Sequence, residues 1–153
     1  MSCEQLLAAE HPIPVQMARA SEHIHLTPVP TAPREARRFV RSTADVLDDD
    51  RLQDLLILTS ELVTNAVLHA RTPFEVGVTV TDDVVLICVG DRSKGTPRDR
   101  VQSDGREDGR GILLVQSLAD DWGVLPAETR QGKAVWFLFR RAGAEEAEVV
   151  GSA

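Results

Sequence analysis

The segment from Arg51 to His69 constrains the fold most, because it carries the longest helical repeat in the chain. Apolar or small side chains recur in it at the 3.6-residue period that places them on one face of an α-helix. These positions are Leu52, Leu55, Leu56, Thr59, Leu62, Val63, Ala66, Val67 and Ala70. Three acidic residues, 48–50, come directly before the repeat, and acidic residues favour a helix N-terminus. The segment therefore predicts a long helix with one buried side.

Three polar residues form a second stripe on the same helix. Glu61, Asn65 and His69 are spaced by four residues, so their side chains lie one turn apart on one face. Such a stripe is either ordinary solvated surface or the wall of a site. The helix alone does not decide between the two.

Two strand-like runs follow Pro73 and predict a hairpin. The first run has apolar side chains at alternate positions, which is typical of a half-buried strand. These positions are Phe74, Val76, Val78 and Val80. The second run, "VVLICVGD" at 84–91, predicts a fully buried strand, and Asp82 with Asp83 suits the tight turn between them. We expect this antiparallel hairpin at the centre of a sheet.

The segments before the long helix predict one strand and one helix. An edge strand is expected from His23 to Pro30, and a helix from about Pro33 to Leu47 with Thr31 as its N-cap. This helix carries a basic face at helical spacing, made of Arg34, Arg37, Arg38 and Arg41. A solvated face is the favoured interpretation of these arginines, and docking of an acidic partner is the alternative.

The segments after the hairpin predict a long loop, a helix and a second hairpin. Residues 92–108 have no apolar period and are longer than a simple connection needs, which suggests a lid. A helix is expected from the glycines of "GRGILLVQSLAD", at 109–120. Strands are expected at Asp121–Pro126 and over "AVWFLFR", at 134–140.

This order of elements predicts an α/β fold. Neighbouring hairpins favour a two-layer sandwich, in which a mixed, mainly antiparallel sheet carries helices on one face. The chain of 153 residues suits one domain, at 23–141. A flexible arm is expected at 1–22 and a disordered acidic tail at 142–153.

Composition excludes several classes of function. The formal net charge of -7 argues against direct binding of nucleic acid, whose phosphates attract the opposite sign. Neither a signal peptide nor a membrane-spanning run is visible. Only Cys3 and Cys88 are present, too few for a metal cluster, and Cys88 is interpreted as a small buried thiol. These features predict a cytoplasmic protein without membrane association, and they leave open whether it forms a homodimer.

Glycine-bearing turns point to a nucleotide. The phosphate loop of the common NTPases is absent, and "GRGILL" lacks the third glycine and the preceding strand of the dinucleotide fingerprint. What remains, in order, is "ELVTNAVLHA", "DRSKG" and "GRGILLV". These three segments resemble the asparagine box and the two glycine boxes of the GHKL ATPase superfamily, the Bergerat fold. With "GKAVWFLF" near the C-terminus, the chain is most similar to the anti-sigma factor serine/threonine kinase branch.

The resemblance implies a site for ATP and Mg²⁺ on particular residues. Asn65 would hold the metal through its amide oxygen, and Glu61 would act as the catalytic base one turn earlier. Asp91 would bind the adenine amino group. Gly95, Gly109 and Gly111 would complete the nucleotide site, the last two at a helix N-terminus where backbone N–H groups favour phosphate. Which Arg or Lys of the lid contacts phosphate is left open.

The resemblance also implies partners and a reaction. It predicts transfer of phosphate from Mg-ATP to an anti-sigma factor antagonist, together with sequestration of a sigma factor to regulate transcription. The first glycine box departs from the family pattern, because Ser93 stands at its middle glycine and a β-carbon restricts the backbone there. The alternative is therefore a catalytically silent, nucleotide-gated protein-binding module.

Overall fold

The computed structural model describes residues 19–70, 72–91, 114–125 and 133–141. These residues form one five-stranded sheet of order β1-β2-β3-β5-β4, in which every neighbouring pair is antiparallel. The strands are β1 Ala20–Leu26, β2 Phe74–Val80, β3 Val84–Asp91, β4 Asp121–Leu125 and β5 Lys133–Arg140. The helices are α1 Ala32–Thr43 and α2 Asp49–Asn65, with a π-helical turn Ala66–Ala70 directly after α2. Residues 114–118 are also helical.

The helices pack on one face of the sheet, which confirms the predicted α/β sandwich. Strand alternation turns Val78, Ile87 and Phe137 to the same side, where they join one buried cluster with α2 residues such as Leu55 and Val63. The predicted hairpin of β2 and β3 is confirmed, and β3 is the central strand. None of the helices in the described residues is long and apolar enough to cross a bilayer.

The opposite face of the sheet is buried as well over part of its area. A second, smaller cluster there consists of Leu86, Cys88, Ala134, Trp136 and Leu138. All seven residues of β2 are buried, so the prediction of a half-buried strand is wrong. The predicted burial of Cys88, which lies in this second cluster, is confirmed.

Helix α1 is shorter than predicted. It ends at Thr43, where the hydroxyls of Ser42 and Thr43 both donate to the carbonyl of Phe39, at 2.8 and 2.9 Å. Hydroxyls bonded to the preceding turn in this way compete with the helical pattern. Leu47 remains buried because the next turn returns it to the core. At the other end Thr31 occupies the N-cap position, but its side chain forms no capping hydrogen bond.

Helix α2 follows the predicted apolar repeat closely. Asp48 is its N-cap, and a carboxylate oxygen accepts a hydrogen bond of 2.8 Å from the backbone N–H of Arg51. Leu58 is fully buried in addition to the predicted positions. Strand β1 begins at Ala20, earlier than expected, because its pairing with β2 extends to Val80, and it ends at Leu26 before the prolines.

Candidate functional site

The end of β3 and the starts of β2 and β5 lie together at one end of the sheet. The register places Asp91 beside Phe74 on one side and beside Lys133 on the other. The chain reaches Phe74 only four residues after Ala70, which ends the π-helical turn. Four residues span at most about 14 Å, so the end of the π-helical turn lies within about that distance of the paired residues Phe74 and Asp91. A site shared by Asn65 and Asp91 is compatible with this connection.

The polar stripe of α2 lies at the boundary between core and solvent. Glu61 and Asn65 are half-buried, whereas Leu62, Val63 and Ala66 beside them are buried. Other polar residues of the same helix are half-buried too, so partial burial is compatible with both a site wall and plain surface. The two residues are one turn apart in the regular part of α2.

A π-helical turn begins directly after Asn65. Its hydrogen bonds span five residues instead of four, so His69 does not complete a full turn from Asn65 and lies off the line that joins Glu61 to Asn65. The predicted three-residue stripe is therefore a two-residue stripe followed by a displaced histidine. His69 is half-buried with its Nε2 in the interior. Single π-helical turns inside α-helices occur frequently at functional sites.

Arginine from α1 supports the turn that carries Glu61. Arg37 Nη1 donates a hydrogen bond of 2.9 Å to the hydroxyl of Ser60, the residue before Glu61. Arg34, Arg38 and Arg41 are exposed, as the interpretation of a solvated face predicts, but Arg37 is half-buried between the helices. Its role is to connect α1 to α2.

The profile of the histidine kinase-like ATPase domain matches residues 11–139, which is most of the chain. The chain belongs to this ATPase family. A search of curated proteins found no match. Membership confirms the GHKL-type resemblance, and it implies an ATP site in this domain.

The described residues of the ATPase domain fit Mg-ATP in donor chemistry. Mg²⁺ prefers hard oxygen ligands and takes only one or two from protein, and Asn65 offers an amide oxygen at the partly exposed end of α2. Glu61 offers a carboxylate one turn away. The backbone of Asp91 lies at the end of the central strand.

Several predicted members of the ATPase site lie outside the described residues. These are Gly95, Gly109 and Gly111, together with the lid and its basic residues Lys94, Arg98, Arg100, Arg106 and Arg110. Their roles stay predictions.

Two features of the ATPase domain were not apparent from sequence patterns. The π-helical turn has no local signal, because its residues continue the apolar repeat of α2. A polar cluster of His23, His25 and Glu75 lies on the face of the sheet opposite the helices. Its one sequence signal is the pair of histidines at alternate positions of a predicted strand.

Proposed function

We propose that this chain is an ATP-binding anti-sigma regulatory protein with serine/threonine kinase activity. In this proposal it phosphorylates an anti-sigma factor antagonist and sequesters a sigma factor in the cytoplasm. The observation that supports it best is the half-buried pair Glu61 and Asn65, one turn apart at the C-terminal end of α2. Family membership supports the ATP site, and the order of the sequence boxes supports the kinase branch.

Each residue of the proposed site has a distinct task. Asn65 holds Mg²⁺ through its side-chain oxygen, and the ion when bound neutralises phosphate charge. Glu61 accepts the proton of the attacking serine or threonine hydroxyl, the task of a carboxylate base in phosphoryl transfer. Asp91 binds the exocyclic amino group of adenine. Gly95 continues the adenine loop, and Gly109 and Gly111 allow the backbone to approach the phosphates.

Titration of the purified chain with ATP, with and without Mg²⁺, tests the nucleotide site. Wild type is expected to bind ATP in a magnesium-dependent manner. Asn65→Ala is expected to lose that dependence with a fall in affinity of roughly tenfold, about 1.4 kcal/mol. Gln53→Ala is the matched control, since it removes an exposed amide from the same helix. Equal magnesium dependence in Asn65→Ala and wild type would refute the assignment of the metal ligand.

Phosphoryl transfer is tested separately with Mg-ATP labelled at the γ-phosphate and a candidate antagonist from the same organism. Glu61→Gln is expected to keep ATP affinity and to lose about 10²–10⁴-fold in transfer rate. Glu35→Gln, which neutralises an exposed carboxylate on α1, is the control. If control of the partner survives Glu61→Ala but not Asn65→Ala, the chain is a nucleotide-gated binding module and the kinase assignment is wrong.

A further inference from the structure

A cluster of potential metal ligands lies where β1 pairs with β2. Each of His23, His25 and Glu75 offers one ligand atom, and these atoms all lie within 4.8 Å of one another. His25 is the register partner of Glu75, and His23 is opposite Gly77, which adds no side chain to crowd the cluster. From this arrangement we propose that the three residues bind one divalent transition-metal ion, with Zn²⁺ as the best-matched probe.

The distances suit an ion shared by the two strands. His25 Nε2 lies 3.8 Å from Glu75 Oε2, beyond a direct hydrogen bond. Two ligands of a tetrahedral zinc ion, each about 2.0–2.1 Å from the metal, lie roughly 3.3 Å apart. A movement of about half an ångström therefore brings this pair into range. The two imidazole rings are 5.5 Å apart between centroids and lie nearly perpendicular, so modest rotation brings both to one point.

The different burial of the three side chains favours a preorganised metal site. The Glu75 side chain is only 12% exposed, whereas that of His25 is 71% exposed. A buried carboxylate fixes one ligand position, and the two exposed histidines are free to adjust from the solvent side. An ion held in this way would connect the edge strand β1 to β2 through side chains, in addition to the backbone ladder.

The ligand types predict which ions bind. Two imidazole nitrogens and one carboxylate form a set that suits zinc and other divalent transition metals, with a coordination position left for water. Magnesium prefers an all-oxygen shell and is a poor match. The ion of this site is therefore distinct in chemistry from the Mg²⁺ that accompanies ATP.

The cluster is also separate from the proposed ATP site in space. Ile24, between the two histidines, packs against the core under the helices. Successive strand residues point to opposite faces, so His23 and His25 lie on the face away from α2 with its Glu61 and Asn65. Metal binding here does not depend on the proposed function, and either proposal can fail without the other.

The test is calorimetric titration of untagged, metal-stripped full-length chain with Zn²⁺ at neutral pH, without nucleotide. Wild type is expected to bind one equivalent, and a large excess of Mg²⁺ is expected not to compete. His23→Gln, His25→Gln and Glu75→Gln should each weaken binding by roughly tenfold or more, since even the loss of outer-shell partners costs 10–100-fold. Glu22→Gln and His69→Gln, a neighbouring carboxylate on β1 and a histidine on the helix side, are matched controls expected to match wild type.

Thermal unfolding gives a second readout. Because the ion binds the folded state, Zn²⁺ should raise the unfolding midpoint of wild type and of both controls, and the rise should disappear in both histidine variants. The contribution of Glu75 is read from a smaller rise in Glu75→Gln than in wild type, or in Glu75→Asp, which keeps a shorter carboxylate, if Glu75→Gln does not fold.

Three results would overturn the site. The first is the absence of zinc binding by wild type, and the second is equal affinity in wild type and both histidine variants. The third is binding that depends on the histidines but is as tight, with as large a rise in the unfolding midpoint, in Glu75→Gln or Glu75→Asp as in wild type, because that pattern describes a surface histidine pair and not a three-ligand site.

Discussion

An ion pair between α2 and the far end of the sheet should contribute measurably to stability. Arg51, in the first turn of α2, forms a salt bridge with Asp120, which precedes β4. The same guanidinium lies over the ring of Phe139 on β5, with Cζ 4.7 Å from the ring centroid. Asp120 also accepts a hydrogen bond of 2.6 Å from the backbone N–H of Arg140. The pair therefore connects α2 to both strands of the second hairpin.

The magnitude follows from how much of the pair water reaches. Both side chains are close to 30% exposed, so their attraction is only partly screened and should contribute about 1 kcal/mol, the upper end of surface pairs. The contact with Phe139 should add about 0.5–1 kcal/mol. Arg51→Met removes both contributions while keeping an apolar stem, and it should lower the free energy of unfolding by about 1.5–2 kcal/mol. Asp120→Asn removes the charge but keeps an acceptor for Arg140.

A double-mutant cycle with these two substitutions isolates the ion pair from the aromatic contact. Urea unfolding followed by far-UV circular dichroism gives the four free energies, and we expect a coupling of about 1 kcal/mol that decreases as sodium chloride is added. The control cycle is Arg19→Met with Asp82→Asn, another salt bridge of the chain, whose side chains are 69% and 62% exposed. Its coupling should be close to zero. Equal couplings in the two cycles, or no dependence on salt in the first, would refute the argument from burial.

Two further substitutions test local packing and capping by the same unfolding measurement. In Gly123→Ala the new β-carbon would lie 2.7 Å from three atoms of the Trp136 indole, well inside the contact distance of about 3.5–4.0 Å, so overpacking should cost about 1–3 kcal/mol. Trp136→Phe should remove most of that cost, and an unchanged cost would contradict the clash. Asp48→Ala should lower the free energy of unfolding by about 1 kcal/mol because it removes the N-cap hydrogen bond from Arg51 N–H. Asp50→Ala is the control, since it removes a first-turn charge but no N-cap hydrogen bond. Similar losses in both variants would assign the effect to the helix dipole and not to the cap.

Local periodicity explains which parts of the fold the sequence could predict. The repeat of α2 and the alternation in β2 each predict one buried face, and the continuous apolar run of β3 predicts a strand buried on both faces. Asp48 as a helix start follows from the same local chemistry. These elements, with the short turn at Asp82 and Asp83, are sufficient to predict the sandwich.

The features that sequence could not predict depend on distant neighbours. Glu75 and Thr79 on β2 are buried because the second face of the sheet is covered, and the alternating pattern of that strand does not predict this cover. The π-helical turn after Asn65 preserves an apolar repeat, so composition does not reveal it. The cluster of His23, His25 and Glu75 exists only through the register of β1 on β2. Glu61 and Asn65 of the candidate ATP site could thus be predicted from one helix, whereas the cluster of His23, His25 and Glu75 is set by the pairing of β1 with β2.

The two ends of α2 have different physical tasks. At its N-terminus the helix is capped by Asp48 and paired with Asp120, while its middle is buried through Leu55 and Leu58. At its C-terminus it leaves regular α-helical geometry directly after Asn65, where the polar groups become partly exposed. Arg51 and Asn65 are fourteen residues apart, about 21 Å along the axis, far enough for their effects to be independent. Substitutions at Arg51 should therefore lower stability without changing ATP affinity in the folded protein, and those at Asn65 should do the reverse.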